Sequence, residues 1–545
     1  MGKGVVIGLC SVLLVACVVA VTIGVTNKGG NDGKVSTSNK AVNSVCQQTD
    51  YKEACIHSLE NEEADDPKEL VKAEFKAAIE NIGEAIKNSS PIKEAAKDER
   101  TSKAVELCKH LLDVSIDDLH RSLDKIGKFE ISKIGSYLDD LETWLSGSID
   151  YQETCLDGFA NTTGDAGEKM KKLLNVSGEL TSNVLAMVSQ INKVLGDLEI
   201  PGLSRKLLSS EGEPSWVDAG RRSLLQANPK PNAVVALDGS GNFKSINDAI
   251  KSIPPKNKAP FVILVKPGIY KEYVEIPRHM NNVVLIGSGT DKTKITGSKN
   301  FADGVGTYQT ATVAVNADFF TAKDITFENS AGAVKHQAVA LRVSGDMAVF
   351  YNCRMDAFQD TLYTHSYRQY YRDCTISGTI DFIFGDAAVV FQNCKMVVRK
   401  PGPNQACMVT AQGRKDPRSK GGIIIQNCTI TGEPELMSSK PPVQQYLGRP
   451  WKEFSRTIIM QSFIDSNIAP EGWSPWNGLF ALDTLYYAEF ENRGPGSNVG
   501  QRVKWNGIKK INGKEAESYT PGTFIQGDTW IKAAGVPYDP GMMRV

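Results

Sequence analysis

The sequence lacks the signatures of several common enzyme classes. It has no Gly-x-Ser-x-Gly segment, which argues against a serine esterase of the α/β-hydrolase type. It has no Walker or dinucleotide-binding glycine motif, so a nucleotide site is not expected. The chain of 545 residues contains only six histidines, and their spacing fits no metal site. Two of them, His336 and His365, are expected to be structural. We therefore expect no metal and no organic cofactor.

Net charge is almost absent from the whole chain, at −1, but it is unevenly divided. Residues 228–545 contain 36 Lys+Arg and 28 Asp+Glu, whereas residues 1–227 contain 26 and 35. A basic C-terminal part would attract a polyanion, and an acidic N-terminal part would shield it. A chance asymmetry between two solvated surfaces is the alternative.

A charge-free apolar run covers residues 5–25, with Lys3 before it and Lys28 after it. It is typical of a signal peptide or an uncleaved signal anchor, which we assign to residues 1–27. Either assignment directs the chain into the secretory pathway. The sequons at Asn88, Asn161 and Asn175 suit that pathway. Its oxidising compartments make the cysteines outside the apolar run candidates for disulfides.

Residues 28–40 form a polar spacer, and residues 41–200 have the pattern of helices. Apolar residues recur there every three or four positions, as at Val105, Cys108, Leu112, Ile116, Leu119, Leu123 and Ile126. The pattern predicts an antiparallel four-helix bundle. This region holds Cys46, Cys55, Cys108 and Cys155, for which the sequence alone allows three pairings.

A linker at residues 201–227 contains two pairs of basic residues, Arg205-Lys206 and Arg221-Arg222. Paired basic residues in an exposed segment of a secreted protein predict cleavage by a processing protease. A solvated basic linker is the alternative.

From residue 228 onward the chain has short β-branched runs and an internal repeat. Five similar segments carry Asn or Asp at positions 329, 352, 373, 393 and 427. A period of twenty-odd residues, with one strand and one polar turn in each repeat, is typical of a coil of a parallel β-helix. We predict a right-handed parallel β-helix over residues 228–545, with an inserted loop in one coil.

Four of these segments also place a cysteine after the Asn or Asp, namely Cys353, Cys374, Cys394 and Cys428. Equivalent positions on successive coils lie about 4.8 Å apart, within the range that a disulfide tolerates. We expect Cys353–Cys374 and Cys394–Cys428, with Cys407 left as a buried thiol. Pairing of Cys374 with Cys394 is geometrically possible, and a column of buried thiols is the alternative.

The same register predicts one ladder of polar side chains. Gln337, Asp360 and Asp381 each lie eight residues after a repeated Asn or Asp. Two stacked carboxylates about 5 Å apart cannot both ionise freely. One should remain protonated and act as general acid and base, and the other should be free to attack. The amide of Gln337, with that of Gln359, can donate to an oxyanion. Turn-forming or arginine-paired aspartates are the alternative.

Several segments of the C-terminal region, taken in order, resemble the hallmark blocks of pectin methylesterases. They are Gln337–Leu341, Gln359–Tyr363, Asp381–Gly385 and Leu447–Trp451, together with the earlier Gly268–Glu272. The resemblance covers residues 230–545. It implies hydrolysis of the methyl esters of cell-wall homogalacturonan to pectate and methanol.

The resemblance also implies a role for each matching residue. Asp381 would be the nucleophile, and Asp360 would first donate and then accept a proton. Gln337 and Gln359 would stabilise the oxyanion, and Arg449 would orient Asp381. Gln337 and Arg449 would in addition contact the substrate.

Further substrate contacts are implied at Trp451, Tyr363, Phe384 and Thr307. The family usually has Trp near position 305, where this chain has Val305.

The helical region similarly resembles the pectin methylesterase inhibitor domain, which implies disulfides Cys46–Cys55 and Cys108–Cys155. The dibasic linker resembles the processing sites of such precursors. We expect an autoinhibitory or targeting pro-region, a monomeric mature enzyme in the cell wall, and an inhibitor protein or the pro-region itself as a partner. A pectin lyase or polygalacturonase, and a silent binding protein, are the alternatives.

Overall fold

The computed structural model describes residues 37–94, 96, 98–127, 134–197, 230–255 and 257–544. The chain divides into two compact units, one helical and one built of β-strands. The apolar run at residues 5–25 and the linker with Arg205, Lys206, Arg221 and Arg222 lie outside the described residues. None of the helices in the described ranges is long and apolar enough to cross a membrane.

The helical unit contains four helices of more than 20 residues within the described ranges. Its helices are α1 Thr37–Cys46, α2 Lys52–Leu59, α3 Pro67–Asn88, α4 Ser90–Glu94, α5 Glu99–Gly127, α6 Ile134–Asp157 and α7 Ala166–Asp197. Val105, Leu112 and Leu119, which the periodicity placed on one helix face, are all buried. Cys46 bonds to Cys55 and Cys108 bonds to Cys155, as the family resemblance implies.

The β unit winds 26 short strands into three sheets, and every strand pair is parallel. Sheet 1 has β1 Ala233–Val235, β2 Phe261–Val265, β5 Val283–Ile286, β8 Thr321–Lys323, β11 Ala348–Tyr351, β14 Arg368–Arg372, β17 Ala388–Gln392, β20 Gly422–Gln426, β23 Arg456–Met460, β25 Tyr486–Phe490 and β26 Ile508–Lys509. Sheet 2 has β3 Gly268–Tyr270, β6 Thr293–Gly297, β9 Thr326–Asn329, β12 Arg354–Asp356, β15 Thr375–Gly378, β18 Lys395–Val398, β21 Thr429–Gly432 and β24 Phe463–Ile464. Sheet 3 has β4 Val274–Ile276, β7 Val313–Val315, β10 Leu341–Val343, β13 Leu362–Thr364, β16 Ile383–Gly385, β19 Cys407–Gln412 and β22 Gln445–Gly448.

Each full coil contributes one strand to each sheet, so the chain forms the predicted parallel β-helix. Side chains alternate along each strand, and one set fills a continuous core inside the coils. Leu362 and Ile383 belong to this core, for example, and so do Phe350 and Tyr371, whose rings stack at 4.8 Å. The β unit also has short helices, at α8 Ile246–Lys251, α9 Pro434–Met437, α10 Gly513–Glu517, α11 Pro521–Phe524 and α12 Ile531–Ala534.

The repeated Asn and Asp residues end the strands of sheet 1. Asn352, Asp373, Asn393 and Asn427 all have positive φ angles of 50–58°. Asn and Asp tolerate this left-handed conformation better than other side chains do, which explains the repeat. The inclusion of Asn329 in the repeat is wrong. Arg354 pairs with Thr326, so the equivalent of Asn352 is Asp324, which also has positive φ.

The two disulfides predicted in the β unit, Cys353–Cys374 and Cys394–Cys428, are wrong. All four cysteines are buried free thiols, as is Cys407. The amide N–H groups of Cys353, Cys374 and Cys394 each donate to the sulfur one coil further, at 3.4 Å to Cys374, 3.4 Å to Cys394 and 3.2 Å to Cys428. The N–H of Cys428 donates instead to the hydroxyl of Ser462 at 3.0 Å. In a parallel stack the side chains point the same way, so the sulfurs of Cys374, Cys394 and Cys428 meet an amide instead of forming a covalent bond.

Candidate active site

Two aspartates occupy equivalent positions on neighbouring coils, each two residues before a strand of sheet 3. Leu362 of β13 pairs with Ile383 of β16, and the N–H of Asp360 donates to the carbonyl of Ile380 at 3.0 Å. This register aligns Asp360 with Asp381. Both have left-handed backbones, with φ of 63° and 51°. Aspartate tolerates this conformation, so the turn and the reactive group use the same residue type.

Arg449 binds both oxygens of Asp381. Its Nε donates to Oδ1 at 2.8 Å and its Nη2 donates to Oδ2 at 2.6 Å. This two-pronged contact fixes the plane of the carboxylate as well as its charge. Arg449 directly follows β22, and its own N–H is held by the carbonyl of Thr410 at 3.0 Å. Burial raises the pKa of Asp381, while the charge and hydrogen bonds of Arg449 act to lower it.

Asp360 has no such partner. Its side chain is buried, and none of the ion pairs among the described residues includes it. Burial, followed by the negative charge of Asp381, raises the pKa of Asp360 well above its ordinary value, and Arg449 opposes this only in part. The surroundings of the two carboxyl groups therefore differ: Arg449 opposes the effect of burial on the pKa of Asp381, whereas the charge of Asp381 adds to the effect of burial on the pKa of Asp360.

Gln337 and Gln359 occupy equivalent positions on neighbouring coils, but this position is not the one that Asp360 and Asp381 share. The N–H of Ala338 donates to the carbonyl of Gln359 at 3.2 Å, which in a parallel ladder aligns Ala338 with Asp360. Gln337 is therefore aligned with Gln359, at the position one residue before the one that Asp360 and Asp381 occupy. The prediction of a single ladder of Gln337, Asp360 and Asp381 is wrong in this respect, because the segment from Asp324 to Ala338 is six residues longer than the equivalent segment from Asn352 to Asp360. Within the described residues, neither glutamine amide has a side-chain hydrogen bond, so both can donate to a ligand.

Aromatic rings form a row beside the carboxyl groups. Since Leu362 and Ile383 point into the core, Tyr363 and Phe384 point outward from sheet 3. Their rings stack at 4.2 Å and 17°. The ring of Trp451 meets the edges of both, at centroid distances of 6.3 Å and 5.8 Å. Tyr363 and Phe384 are buried, so the partly exposed ring of Trp451 is the one of these three that can offer a flat apolar surface to a sugar ring.

The sequence interpretation missed two members of this row, Tyr308 and Trp476. Tyr308 meets the edge of the Tyr363 ring at 6.3 Å and lies in the 3₁₀ turn Thr307–Gln309. The predicted contact residue Thr307 begins that turn. Trp476 is partly exposed and lies 4.4 Å from the guanidinium of Arg449. Neither residue lies in a repeated segment, so the sequence pattern did not point to them.

A glycine provides the room for Trp451. A Cβ atom on Gly413 would lie 2.8 Å from Cε3 and 3.2 Å from Cζ3 of the indole. The N–H of Trp451 also donates to the carbonyl of Gln412 at 3.2 Å. The indole therefore rests directly on the backbone of the strand end next to it.

Both histidines near the site have structural surroundings. His365 is fully buried, with the rings of Tyr308 and Tyr363 at 5.3 Å and 5.1 Å. Burial and the nearby charge of Arg342 lower the pKa of His365 well below its usual value, so the ring is neutral. His336 ends a 3₁₀ turn with a φ of 59°. Among the described residues, no group of His, Cys, Asp and Glu could hold a metal ion.

The site thus combines a parallel β-helix, two buried carboxyl groups of which one is bound by an arginine, and neighbouring aromatic rings. Comparison with known proteins identifies the class. Residues 232–528 match the Pectinesterase family, and residues 40–187 match the Plant invertase/pectin methylesterase inhibitor family.

Individual similar proteins are named as pectinesterases or pectin methylesterases. A probable pectinesterase/pectinesterase inhibitor 58 of Arabidopsis thaliana is 51% identical over 98% of this chain and 97% of its own. A pectinesterase of Petunia integrifolia is 54% identical over 69% of this chain and 100% of its own. The solved pectin methylesterase from carrot is 49% identical, covers 58% of this chain and 99% of its own, and superposes with a TM-score of 0.57. The chain belongs to the pectinesterase family and is a pectin methylesterase with an N-terminal inhibitor-like region.

Proposed function

We propose that this enzyme demethylates homogalacturonan through a covalent intermediate on Asp381. The observation that carries the proposal is the asymmetry of the two carboxyl groups. Arg449 binds both oxygens of Asp381, which favours its ionised, nucleophilic form. Asp360 is buried without a cation of its own, which favours the protonated form that a general acid needs.

In the first half of the reaction, an oxygen of Asp381 attacks the carbonyl carbon of the methyl ester. The carbonyl oxygen becomes an oxyanion, to which the amides of Gln337 and Gln359 donate hydrogen bonds. The ester C–O bond then breaks, and the proton of Asp360 goes to the departing methoxide to give methanol. An acyl-enzyme joined to Asp381 and an ionised Asp360 remain.

In the second half, Asp360 takes a proton from water, and the resulting hydroxide attacks the acyl carbon. The bond to Asp381 breaks, which frees the galacturonic carboxylic acid and returns both aspartates to their starting states; the acid then loses its proton to water and becomes pectate. The partly exposed ring of Trp451, which packs against the buried rings of Tyr363 and Phe384, supports this function, because sugar rings pack on such faces.

Quenching the reaction of a short methylated oligogalacturonide during the first turnover tests this mechanism. Mass spectrometry should then find the acyl group on the peptide that contains Asp381. The Asp360→Asn variant should release methanol at least about 100-fold more slowly. An acyl group on another peptide would contradict the assignment of the nucleophile.

We further propose that the inhibitor-like region keeps the enzyme inactive until the linker is cut at Arg205-Lys206 or Arg221-Arg222. The mature enzyme would then act as a monomer in the cell wall. The opposite charges of the two parts of the chain support this, since an acidic region can occupy a basic surface that binds pectate.

Methanol release by the full chain, measured before and after cleavage in the linker, tests the proposal. Cleavage should raise the activity, and adding the released acidic part back should lower it again. A variant with all four basic residues changed to alanine should stay inactive in wall extracts. Equal activity before and after cleavage would overturn autoinhibition, and N-terminal sequencing of the wall-extracted protein would show which pair is cut.

A further inference from the structure

The turn that carries Gln359 and Asp360 is held from two sides. This turn, residues 357–361, connects β12 of sheet 2 to β13 of sheet 3. On one side the next coil holds it, because the N–H of Thr379 donates to the carbonyl of Phe358 at 2.9 Å. The hydroxyl of Thr361 donates to the same carbonyl at 3.1 Å. These contacts fix the backbone of Phe358 but leave the carbonyl of Ala357 to another partner.

That partner is Arg399, two coils away. Arg399 directly follows β18, and its own N–H donates to the carbonyl of Gly378 at 2.7 Å. Its Nη1 donates to the carbonyl of Ala357 at 2.9 Å, and its guanidinium carbon lies 3.9 Å from the ring centroid of Phe358. One side chain thus binds both the backbone and the side chain of the residues directly before Gln359.

The coil between them has little space at this point. A Cβ atom on Gly378 would lie 2.3 Å from Cβ of Phe382, 2.5 Å from the hydroxyl of Thr361 and 2.7 Å from the carbonyl of Phe358. The missing side chain lets the turn at residues 357–361 pack closely against the coil that carries Asp381. A small movement of the turn would therefore move Gln359 relative to the nucleophile.

Arg399 is oriented by an acid of its own. Its Nε lies 3.6 Å from a carboxylate oxygen of Glu433, and its side chain is 28% exposed. The guanidinium thus contacts the carboxylate of Glu433, the carbonyl of Ala357 and the ring of Phe358, all of which are protein groups. This arrangement fits a positioning role better than the binding of a substrate carboxylate.

The amide of Gln359 depends on this arrangement. As described above, no described residue makes a hydrogen bond to that amide, so the backbone of the turn is the anchor through which Arg399 can act on it. The donors of an oxyanion hole act only when they are held where the charge develops. We propose that Arg399 is a positioning residue that fixes the oxyanion donor Gln359 through Ala357 and Phe358. This inference rests on the proposed role of Gln359.

Steady-state methanol release by the enzyme cleaved in its linker tests the proposal. Arg399→Met keeps the length of the side chain but removes the guanidinium, and it should lower kcat about 10-fold and change KM less than about 2-fold. Arg399→Lys can still donate to Ala357 but cannot stack as a planar group, so its kcat should lie between those of the wild type and Arg399→Met. Arg354→Met is the matched control: it removes a guanidinium of sheet 2 that pairs with Asp356, and it should leave kcat unchanged.

A double-mutant cycle separates positioning from mere stabilisation of the fold. Gln359→Ala alone should lower kcat about 100-fold, and adding Arg399→Met to it should lower kcat by less than about 2-fold more. Effects that multiply in full, or a raised KM with unchanged kcat, would overturn the proposal. If Gln359→Ala lowers kcat but neither Arg399 variant does, only this inference fails. If Gln359→Ala leaves kcat unchanged, the proposed role of Gln359 fails, and the inference fails with it.

Discussion

Asp360 and Asp381 occupy equivalent positions on neighbouring coils of the β-helix, but only Asp381 is bound by an arginine. The two residues have the same backbone conformation and are both buried. Their chemical difference therefore comes from Arg449, which reaches one carboxylate and not the other with its two donors. Most of the predictions below follow from this one asymmetry.

The first prediction concerns the acid limb of the pH profile. Arg449→Met removes the group that lowers the pKa of Asp381, so burial alone would act and the pKa would rise. The acid limb of kcat/KM should move to higher pH, and the maximal kcat should fall about 100-fold. Profiles recorded between pH 4 and 9 check this. Arg449→Lys should show a smaller shift, and an acid limb that does not move in either variant would contradict the assignment.

The second prediction is a gain in stability when a catalytic group is lost. The pKa of Asp360 is raised in the folded state, so between its unfolded and folded pKa values the native enzyme holds a proton that the unfolded chain has released. The free energy of unfolding therefore falls as pH rises through that window. Asp360→Asn cannot titrate and should raise Tm at neutral pH by a few degrees, at about 2–4 °C per kcal/mol.

The pH dependence provides the check on this prediction. The gain from Asp360→Asn should shrink toward pH 4, where the carboxyl group is protonated in the folded state and about half protonated in the unfolded state. Melting curves of the wild type and the variant at pH 4, 5.5 and 7 would measure it. A gain that is equal at all three values would show that the buried charge is not its source.

The third prediction concerns Gly413. Because a Cβ atom there would lie 2.8 Å from the indole of Trp451, Gly413→Ala should tilt the ring away from Tyr363 and Phe384. A displaced sugar-binding surface should raise KM about 5- to 10-fold with less effect on kcat, since a few lost contacts are worth about 1 kcal/mol. Methanol-release kinetics measure both constants. Gly402→Ala, which meets only the amide end of Gln405, is the matched control.

The fourth prediction concerns the helical unit. Glu74 of α3 is buried, accepts hydrogen bonds from Ser58 and Asn183, and has a pKa that burial raises to about 7. Between pH 4.5 and 7 the folded state keeps the proton that the unfolded chain releases. Stability should therefore fall as pH rises, by roughly 3 kcal/mol in all, and then level off.

Glu74→Gln should remove this dependence. Hydrogen exchange of the α3 amides in the full chain, corrected for the intrinsic effect of pH on exchange, measures it at pH 5 and 7.5. Protection should fall with pH in the wild type and stay level in the variant. Parallel slopes would contradict the prediction.

Much of the fold could be predicted from the sequence because it rests on local rules. The spacing of Val105, Leu112 and Leu119 identifies a helix face, and the residues Asn352, Asp373, Asn393 and Asn427 identify left-handed turns. The aspartate pair also followed from local information, since Asp360 and Asp381 are 21 residues apart and belong to two coils of regular length.

What the sequence could not provide was the register where a coil is irregular. The segment at Asn329 looks like the repeat, but its strand pairs so that Asp324 takes the equivalent place. Counting eight residues from Asn329 gave Gln337 as the partner of Asp360, but the structure aligns Ala338 with Asp360. The cysteine column shows a second limit: the spacing shows that the sulfurs are close, but not that those of Cys374, Cys394 and Cys428 accept hydrogen bonds from amides. Side-chain contacts across several coils, such as Arg399 with Phe358, leave no pattern in the sequence.

The most direct test of the account is methanol release by the Asp381→Asn variant. The substitution keeps the shape of the side chain and removes the nucleophilic charge, and Asp386→Asn, a buried aspartate outside the proposed mechanism, serves as the control. With both variants cleaved in the linker and shown to melt as folded proteins, the account predicts a loss of at least about 1,000-fold for Asp381→Asn only. Undiminished methanol release by Asp381→Asn would contradict it.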